Sequence, residues 1–242
     1  MTQAQIQATP DGAILFDAGA ATQAAFDPIF FEPARWPARE APVSGGRGGA
    51  VFIDAPFGRC VLRHYRRGGM VARMMGDRYL WTGVERTRGF AEFRLLAALR
   101  ERKLPVPAPV AARYRRSGVH YRADLITQRI EGATTLAELL AEQKLDAAVA
   151  ARVGTAIANF HAHGAYHADL NAHNVLLNEA AVWLIDFDRG ELRRPAREWR
   201  LANLARLQRS LVKLGAARDG QLEFEYSLWS PLMAAYECGG AI

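Results

Sequence analysis

The hydrophobic pattern of this chain changes period at Glu131-Gly132, and that change limits the architectures open to it. Before it, short apolar runs such as Ala50-Val51-Phe52-Ile53 and Cys60-Val61-Leu62 alternate with turn residues, a pattern of paired strands. Further strands are predicted over 110–115 and 120–130, around a Ser117-Gly118 turn. One helix interrupts this half: Phe90, Phe93, Leu95, Leu96 and Leu99 recur at helical spacing within 86–99, and Pro105, Pro107 and Pro109 end the pattern. Beyond Gly132 the reading is helical, over 136–142, 147–161 and 199–214. Residues 1–40, rich in Ala, Gln and Pro, read as an irregular leader with at most one short helix or strand; the strand-rich lobe takes 41–131 and the helical lobe 132–242. The predicted fold class is therefore α+β, in two lobes.

Half of the 242 residues are hydrophobic, enough for a sizeable core, which excludes disordered and disulfide-stapled classes. The two cysteines, Cys60 and Cys238, form no framework and no metal-knuckle spacing, so a reducing, cytoplasmic setting is expected. No lysine or arginine precedes Arg35 and no apolar run reaches eighteen residues, so neither a signal peptide nor a spanning helix is expected. The formal charge of +6 favours an anionic partner. Much of it is local: His64, Arg66, Arg67, Arg73, Arg78, Arg86 and Arg88 lie close together with Tyr79 and Trp81, a segment that is either a solvated face or an anion dock.

The chemistry concentrates in His167-Ala168-Asp169-Leu170-Asn171-Ala172-His173-Asn174, followed by the apolar runs Val175-Leu176-Leu177 and Val182-Trp183-Leu184-Ile185 and then Asp186-Phe187-Asp188. Asp169 and Asn174 share one loop, and a hairpin of the two apolar runs returns Asp186 beside them. One carboxylate can then orient or deprotonate a hydroxyl, while the amide and the other carboxylate offer hard oxygen ligands to magnesium on a nucleotide's phosphates. Either fragment alone is an ordinary turn; the order and spacing of both give them meaning.

These residues resemble the protein-kinase-like superfamily, in which His-x-Asp is followed five residues later by Asn and the metal loop reads Asp-Phe-Gly. The resemblance implies a two-lobed protein-kinase-like fold with a strand-rich N-lobe and a shortened helical C-lobe. It implies Asp169 as the catalytic base or orienter, with Asn174 and Asp186 on Mg2+. Gly45, Gly46, Arg47, Gly48 and Gly49 fall where a glycine-rich loop covers ATP phosphates, and Glu92 where a helical glutamate pairs with a lysine. That lysine is absent: Arg63 takes its place, keeping the charge with a different reach. Asp188 replaces the usual glycine, which predicts a less mobile metal loop. Backbone groups around Ile130, at the crossover, are expected to meet adenine.

The run 61–69, then Asp77-Arg78-Tyr79-Leu80-Trp81-Thr82-Gly83, with 167–174 and 185–190, is similar to the lipopolysaccharide-core kinase family, whose members act on Kdo (3-deoxy-D-manno-octulosonic acid) or heptose. The likeness to its Kdo-specific branch implies transfer of the γ-phosphate of ATP to the 4-hydroxyl of Kdo on a lipid A precursor. It also implies a peripheral position on the anionic cytoplasmic face of the inner membrane, with no nucleic acid and no obligate protein partner. Alternatives are a heptose kinase, a nucleotide-binding pseudokinase or RNA-binding module, and a metal hydrolase using His161, His163, His167 and Asp169. The last is poorly served, because helical residues two apart point in different directions.

Overall fold

The computed structural model describes residues 2–21, 25–36, 50–66 and 76–239. The glycine-rich run 44–49 lies outside them. The chain divides into two compact units, residues 1–98 with 107–130, and 99–106 with 131–242.

The first unit is built on a seven-stranded antiparallel sheet. Its strands are β1 (Ala4–Thr9), β2 (Gly12–Asp17), β3 (Ala50–Ala55), β4 (Gly58–His64), β5 (Tyr79–Leu80), β6 (Pro109–Ser117) and β7 (His120–Gln128). The order is β1-β2-β6-β7-β4-β3, with β5 paired to β7. Helix α1 (Arg88–Glu101) buries Phe90, Phe93 and Leu96, and the Phe90 ring meets Tyr114 of β6 edge-on at 5.3 Å.

The reading of residues 1–40 as an irregular leader is corrected here. Residues 4–17 form a hairpin whose second strand, Ala-Ile-Leu-Phe, is buried and pairs with β6 from Gly12↔Arg115 to Phe16↔Ala111. The turn is carried by Pro10-Asp11, and Gly12, which opens β2, leaves room for the Tyr114 carbonyl oxygen, 2.1 Å from where a Cβ would stand. Phe16, Phe26 and Phe31 are buried together with ring centroids 5.5–5.9 Å from Phe26, and Phe30 packs against them. These rings therefore belong to the core of this unit. Tyr79 is also core, against Tyr121 at 5.6 Å, whereas Trp81 is half-buried on Tyr114 and beneath the Arg116 guanidinium.

Charged residues are built into this sheet. Arg113 and Asp124 face each other across β6 and β7, both nearly fully buried, with Arg113 Nε donating to Asp124 Oδ2 at 2.9 Å. Arg113 also donates to Glu32 Oε1 at 2.8 Å, and the other Asp124 oxygen lies 2.7 Å from His64 Nδ1. His64 Nε2 continues to Asp77 at 2.9 Å, which accepts from Arg122 at 2.8 Å. The hydrogen bond to Asp124 holds the His64 pKa above its ordinary value despite partial burial.

The second unit contains α2 (Leu136–Ala141), α3 (Ala147–Ala162), α4 (Arg197–Lys213) and α5 (Ser230–Cys238). Two small sheets accompany them: β8 (Thr134–Thr135), β10 (Val175–Leu177) and β11 (Val182–Leu184) in one, β9 (Ala165–Tyr166) and β12 (Glu191–Leu192) in the other. Thr135 caps α2 through a reciprocal box with Glu138, worth about 1 kcal/mol. Helix α3 buries Val153, Ile157 and Phe160 and crosses α5 at Gly154, where an added Cβ would stand 2.1 Å from the Leu232 carbonyl oxygen. Only glycine permits that approach.

Two outcomes follow for the first unit. Asp124→Ala removes the buried partner of Arg113, leaving it the half-exposed Glu32, and should cost roughly 2–4 kcal/mol in urea unfolding; a loss below about 1 kcal/mol would contradict a shared buried network. Because folding raises the His64 pKa, its contribution is complete below about pH 6.5 and is lost as pH rises through the folded value. The stability difference between wild type and His64→Gln should therefore shrink as pH rises above about 6.5; a constant difference would contradict the linkage.

Candidate active site

Within the second unit, the loop 167–174 joins β9 to β10, and the segment 185–190 joins β11 to β12. The antiparallel register Val175↔Leu184 makes Asn174 and Ile185 the next neighbours, and Ile185 N donates to Asn174 O at 3.1 Å. Asp186 follows directly. The hairpin expected from the two apolar runs thus brings Asp186 back to the Asp169–Asn174 loop.

His167 joins the two segments. It is buried, its Nδ1 accepts from the Asp169 backbone N–H at 3.1 Å, and its Nε2 lies 2.8 Å from Ile185 O. One neutral tautomer, protonated at Nε2, satisfies both bonds, and burial pushes the His167 pKa down, favouring that neutral form. The ring packs on Phe187 at 4.6 Å, which stacks in turn on Phe160 at 6.1 Å.

The loop is folded by its amides. Asn171 Nδ2 donates to Asp169 O at 3.0 Å while its Oδ1 accepts from His173 N at 2.9 Å. Asn174 is buried, and its Nδ2 donates to the same Asp169 carbonyl at 2.9 Å. That bond fixes the amide, leaving Oδ1 as the pole available to a cation. Asp186 is half-buried and has φ +61°, a left-handed conformation costing roughly 1–2 kcal/mol in a residue with a Cβ. The strain is held by bonds on either side: Ile185 uses both its N–H and its carbonyl, and Gly190 N donates to Phe187 O at 2.7 Å. Asp188, in the glycine position, carries one buried carboxylate oxygen.

The donor set fits a magnesium ion by its chemistry. Asn174 Oδ1 and the Asp186 carboxylate are hard oxygens, few enough to leave coordination positions for water and phosphate, as that ion prefers. The histidines do not form a rival nitrogen site. His161 Nδ1 is 2.8 Å from the Tyr236 hydroxyl, with its pKa pushed down to about 4 by burial, and His163 is exposed with Nδ1 on the Asn159 carbonyl. Among the described residues no three His, Cys, Asp or Glu side chains gather to hold a metal.

Asp169 itself is about half exposed, and its Oδ1 accepts from Arg206 NH1 at 2.9 Å. Arg206 comes from α4, the helix predicted over 199–214. The same helix sends Asn203 to the His167 backbone and Ser210 to Ala172 N. The signal was the spacing 203, 206, 210 on one helical face.

In the first unit, Arg63 on β4 pairs with Glu92 of α1, which is only 3 % exposed. Tyr65, which sequence reasoning missed, donates its hydroxyl to Glu92 Oε2 at 2.7 Å, accepts from Arg63 at 3.1 Å and lies beneath the guanidinium. Ile130 follows β7 and is half-buried, and its neighbour Arg129 donates N–H to Arg59 O at 3.0 Å. Gly45, Gly46, Arg47, Gly48 and Gly49 are outside the described residues.

Comparison with known proteins places the chain in a family. Residues 34–236 match the family described as Lipopolysaccharide kinase (Kdo/WaaP) family. A Stenotrophomonas maltophilia protein named 3-deoxy-D-manno-octulosonic acid kinase is 54 % identical over 216 residues, covering 86 % of this chain and 83 % of its own. A Xanthomonas campestris pv. campestris protein of the same name is 55 % identical over 215 residues, with the same coverage. The structure of WaaP in complex with acyl carrier protein is 16 % identical with a TM-score of 0.56, over 93 % of this chain and 88 % of that one. That likeness establishes the protein-kinase-like fold. With the family match and relatives above half identity running along most of its length, the chain belongs to the lipopolysaccharide kinase (Kdo/WaaP) family.

Proposed function

We propose that this chain is an ATP-dependent Kdo kinase, adding phosphate to the 4-hydroxyl of Kdo on a lipid A precursor during lipopolysaccharide core synthesis. The observation that carries the sugar is the 54–55 % identity to proteins named for that activity. No observation favours heptose or nucleic acid.

The chemistry is supported by the loop geometry. Asp169, half exposed at the end of a rigid hydrogen-bonded turn, is the group to orient the sugar hydroxyl and take its proton. A positioned base of this kind contributes roughly 10²–10⁴-fold. Asn174 and Asp186 would hold magnesium, which when bound neutralises charge on the phosphates of ATP. Arg63, held by Glu92 and Tyr65, would contact phosphate, a role the family resemblance also assigns to Gly45, Gly46, Arg47, Gly48 and Gly49. Ile130 and its backbone neighbours would meet adenine.

Peripheral attachment to the cytoplasmic face of the inner membrane suits a lipid-linked acceptor. Supporting it, the chain carries +6 formal charge, and Leu80 and Val119 are 58 % and 66 % exposed on a sheet end that also bears Arg115, Arg116 and Arg122. No helix among the described residues is long and apolar enough to cross a membrane.

The test is phosphoryl transfer from ATP to a Kdo-bearing lipid A precursor in vesicles, with the product located by mass spectrometry and NMR. The expected product is the 4-phosphate, formed faster on anionic than on zwitterionic vesicles, abolished by chelation of magnesium, and reduced at least about 100-fold by Asp169→Ala. Phosphate found only on a heptose-bearing acceptor, turnover unaffected by chelator, or near wild-type turnover of the variant would overturn the reading.

A further inference from the structure

No lysine or arginine occurs between His167 and Asn174, so the loop carries no strong cation of its own to set its carboxylate. Helix α4 supplies one. Residues 203, 206 and 210 stand at i, i+3 and i+7 and so share a helical face. At one end of the loop Asn203 holds both polar groups of the His167 backbone, accepting from N at 3.3 Å and donating to O at 3.1 Å. At the other end Ser210 Oγ accepts from Ala172 N at 3.1 Å. Between these clamps Arg206 NH1 reaches Asp169 Oδ1 at 2.9 Å. Buried Leu204, Leu207 and Leu211 on the neighbouring stripe anchor the helix, so the guanidinium is delivered from a fixed platform.

The pair is exposed, with side chains 48 % and 53 % accessible, and an exposed ion pair adds little to stability. Its effect is on orientation instead. The Asp169 backbone is held by His167, but with half its side chain in solvent, packing alone does not set the carboxylate. Tying Oδ1 to Arg206 decides which oxygen faces outward. Proton abstraction requires hydrogen-bond reach between base and hydroxyl, and small misplacements of a reacting group are costly in rate.

We propose that Arg206 is the positioning residue for Asp169, holding Oδ1 so that Oδ2 meets the acceptor hydroxyl. This rests on the reading of Asp169 as the base. In the step so arranged, the hydroxyl proton passes to Oδ2 as the sugar oxygen bonds to the γ-phosphorus. The bond from that phosphorus to the β–γ bridging oxygen breaks, its electron pair leaves with ADP, and the proton is then lost to water.

The test compares wild type with Arg206→Ala, Arg206→Lys, Asp169→Asn and, as a control on the same helix, the exposed Arg209→Ala. Arg206→Ala should lower kcat on the order of 100-fold with KM for both substrates within about twofold, the signature of an interaction that matters in the transition state. Its melting temperature should match wild type, Arg206→Lys should recover a large part of kcat, and added guanidinium should restore turnover to Arg206→Ala but not to Asp169→Asn. Arg209→Ala should behave as wild type. Full kcat in Arg206→Ala beside an inactive Asp169→Asn would overturn the positioning role and leave the base intact. A raised KM for ATP with unchanged kcat would also overturn it, assigning Arg206 to phosphate binding alone. Full turnover in Asp169→Asn would remove the base reading and this inference with it.

Discussion

The buried imidazole of His167 is the tie on which the candidate site depends. It has one acceptor and one donor, and both are spent on backbone: Nδ1 on the N–H of Asp169, Nε2 on the carbonyl of Ile185. A charged ring would have two donors and lose the first bond, so burial, by pushing the pKa down, preserves the geometry as well as the neutrality. Asn203 secures the same residue through its backbone. With the loop 167–174 and the segment leading into Asp186 fixed to one ring, Asn174 needs only its register beside Ile185 to stand next to Asp186. The left-handed backbone of Asp186 is then tolerable, since bonded neighbours on both sides hold it.

The first unit solves a different problem, keeping charge inside a sheet. Arg113, Asp124, His64 and Asp77 form one continuous chain of ion pairs and hydrogen bonds, so the cost of desolvating each group is offset by its neighbours. Arg63 follows the same rule. A lysine would offer a point charge to Glu92, whereas the planar guanidinium bonds Glu92 and Tyr65 together and lies over the tyrosine ring. The arginine substitution therefore comes with a built support, Tyr65, two residues along the same segment.

Much of this was legible in the sequence because the signals were local. The helix read over 86–99 is observed as Arg88–Glu101, and the strands around Ser117-Gly118 as Pro109–Ser117 and His120–Gln128. The return of Asp186 to Asn174 followed from two apolar runs and a short turn. What escaped was non-local. Strand β1 is largely exposed and polar, so its alternation is faint, and its hairpin is identified by pairing with β6, about a hundred residues away in the sequence. Asn203, Arg206 and Ser210 are polar residues on one face of a predicted helix; only the tertiary fold gives that stripe a loop to hold. Tyr65 had no signal beyond an alternating strand, and its value comes from a glutamate on another element.

The proposed site requires one oxygen from Asn174 and one from Asp186 to share a single divalent ion. Crystals grown with manganese in place of magnesium and a non-hydrolysable ATP analogue test this directly, through anomalous scattering at the manganese edge. The expected result is a peak about 2.1 Å from Asn174 Oδ1 and from an Asp186 carboxylate oxygen, close to the distance of magnesium, with phosphate oxygens completing the shell. A peak held by other side chains, or one that these two residues do not share, would contradict it.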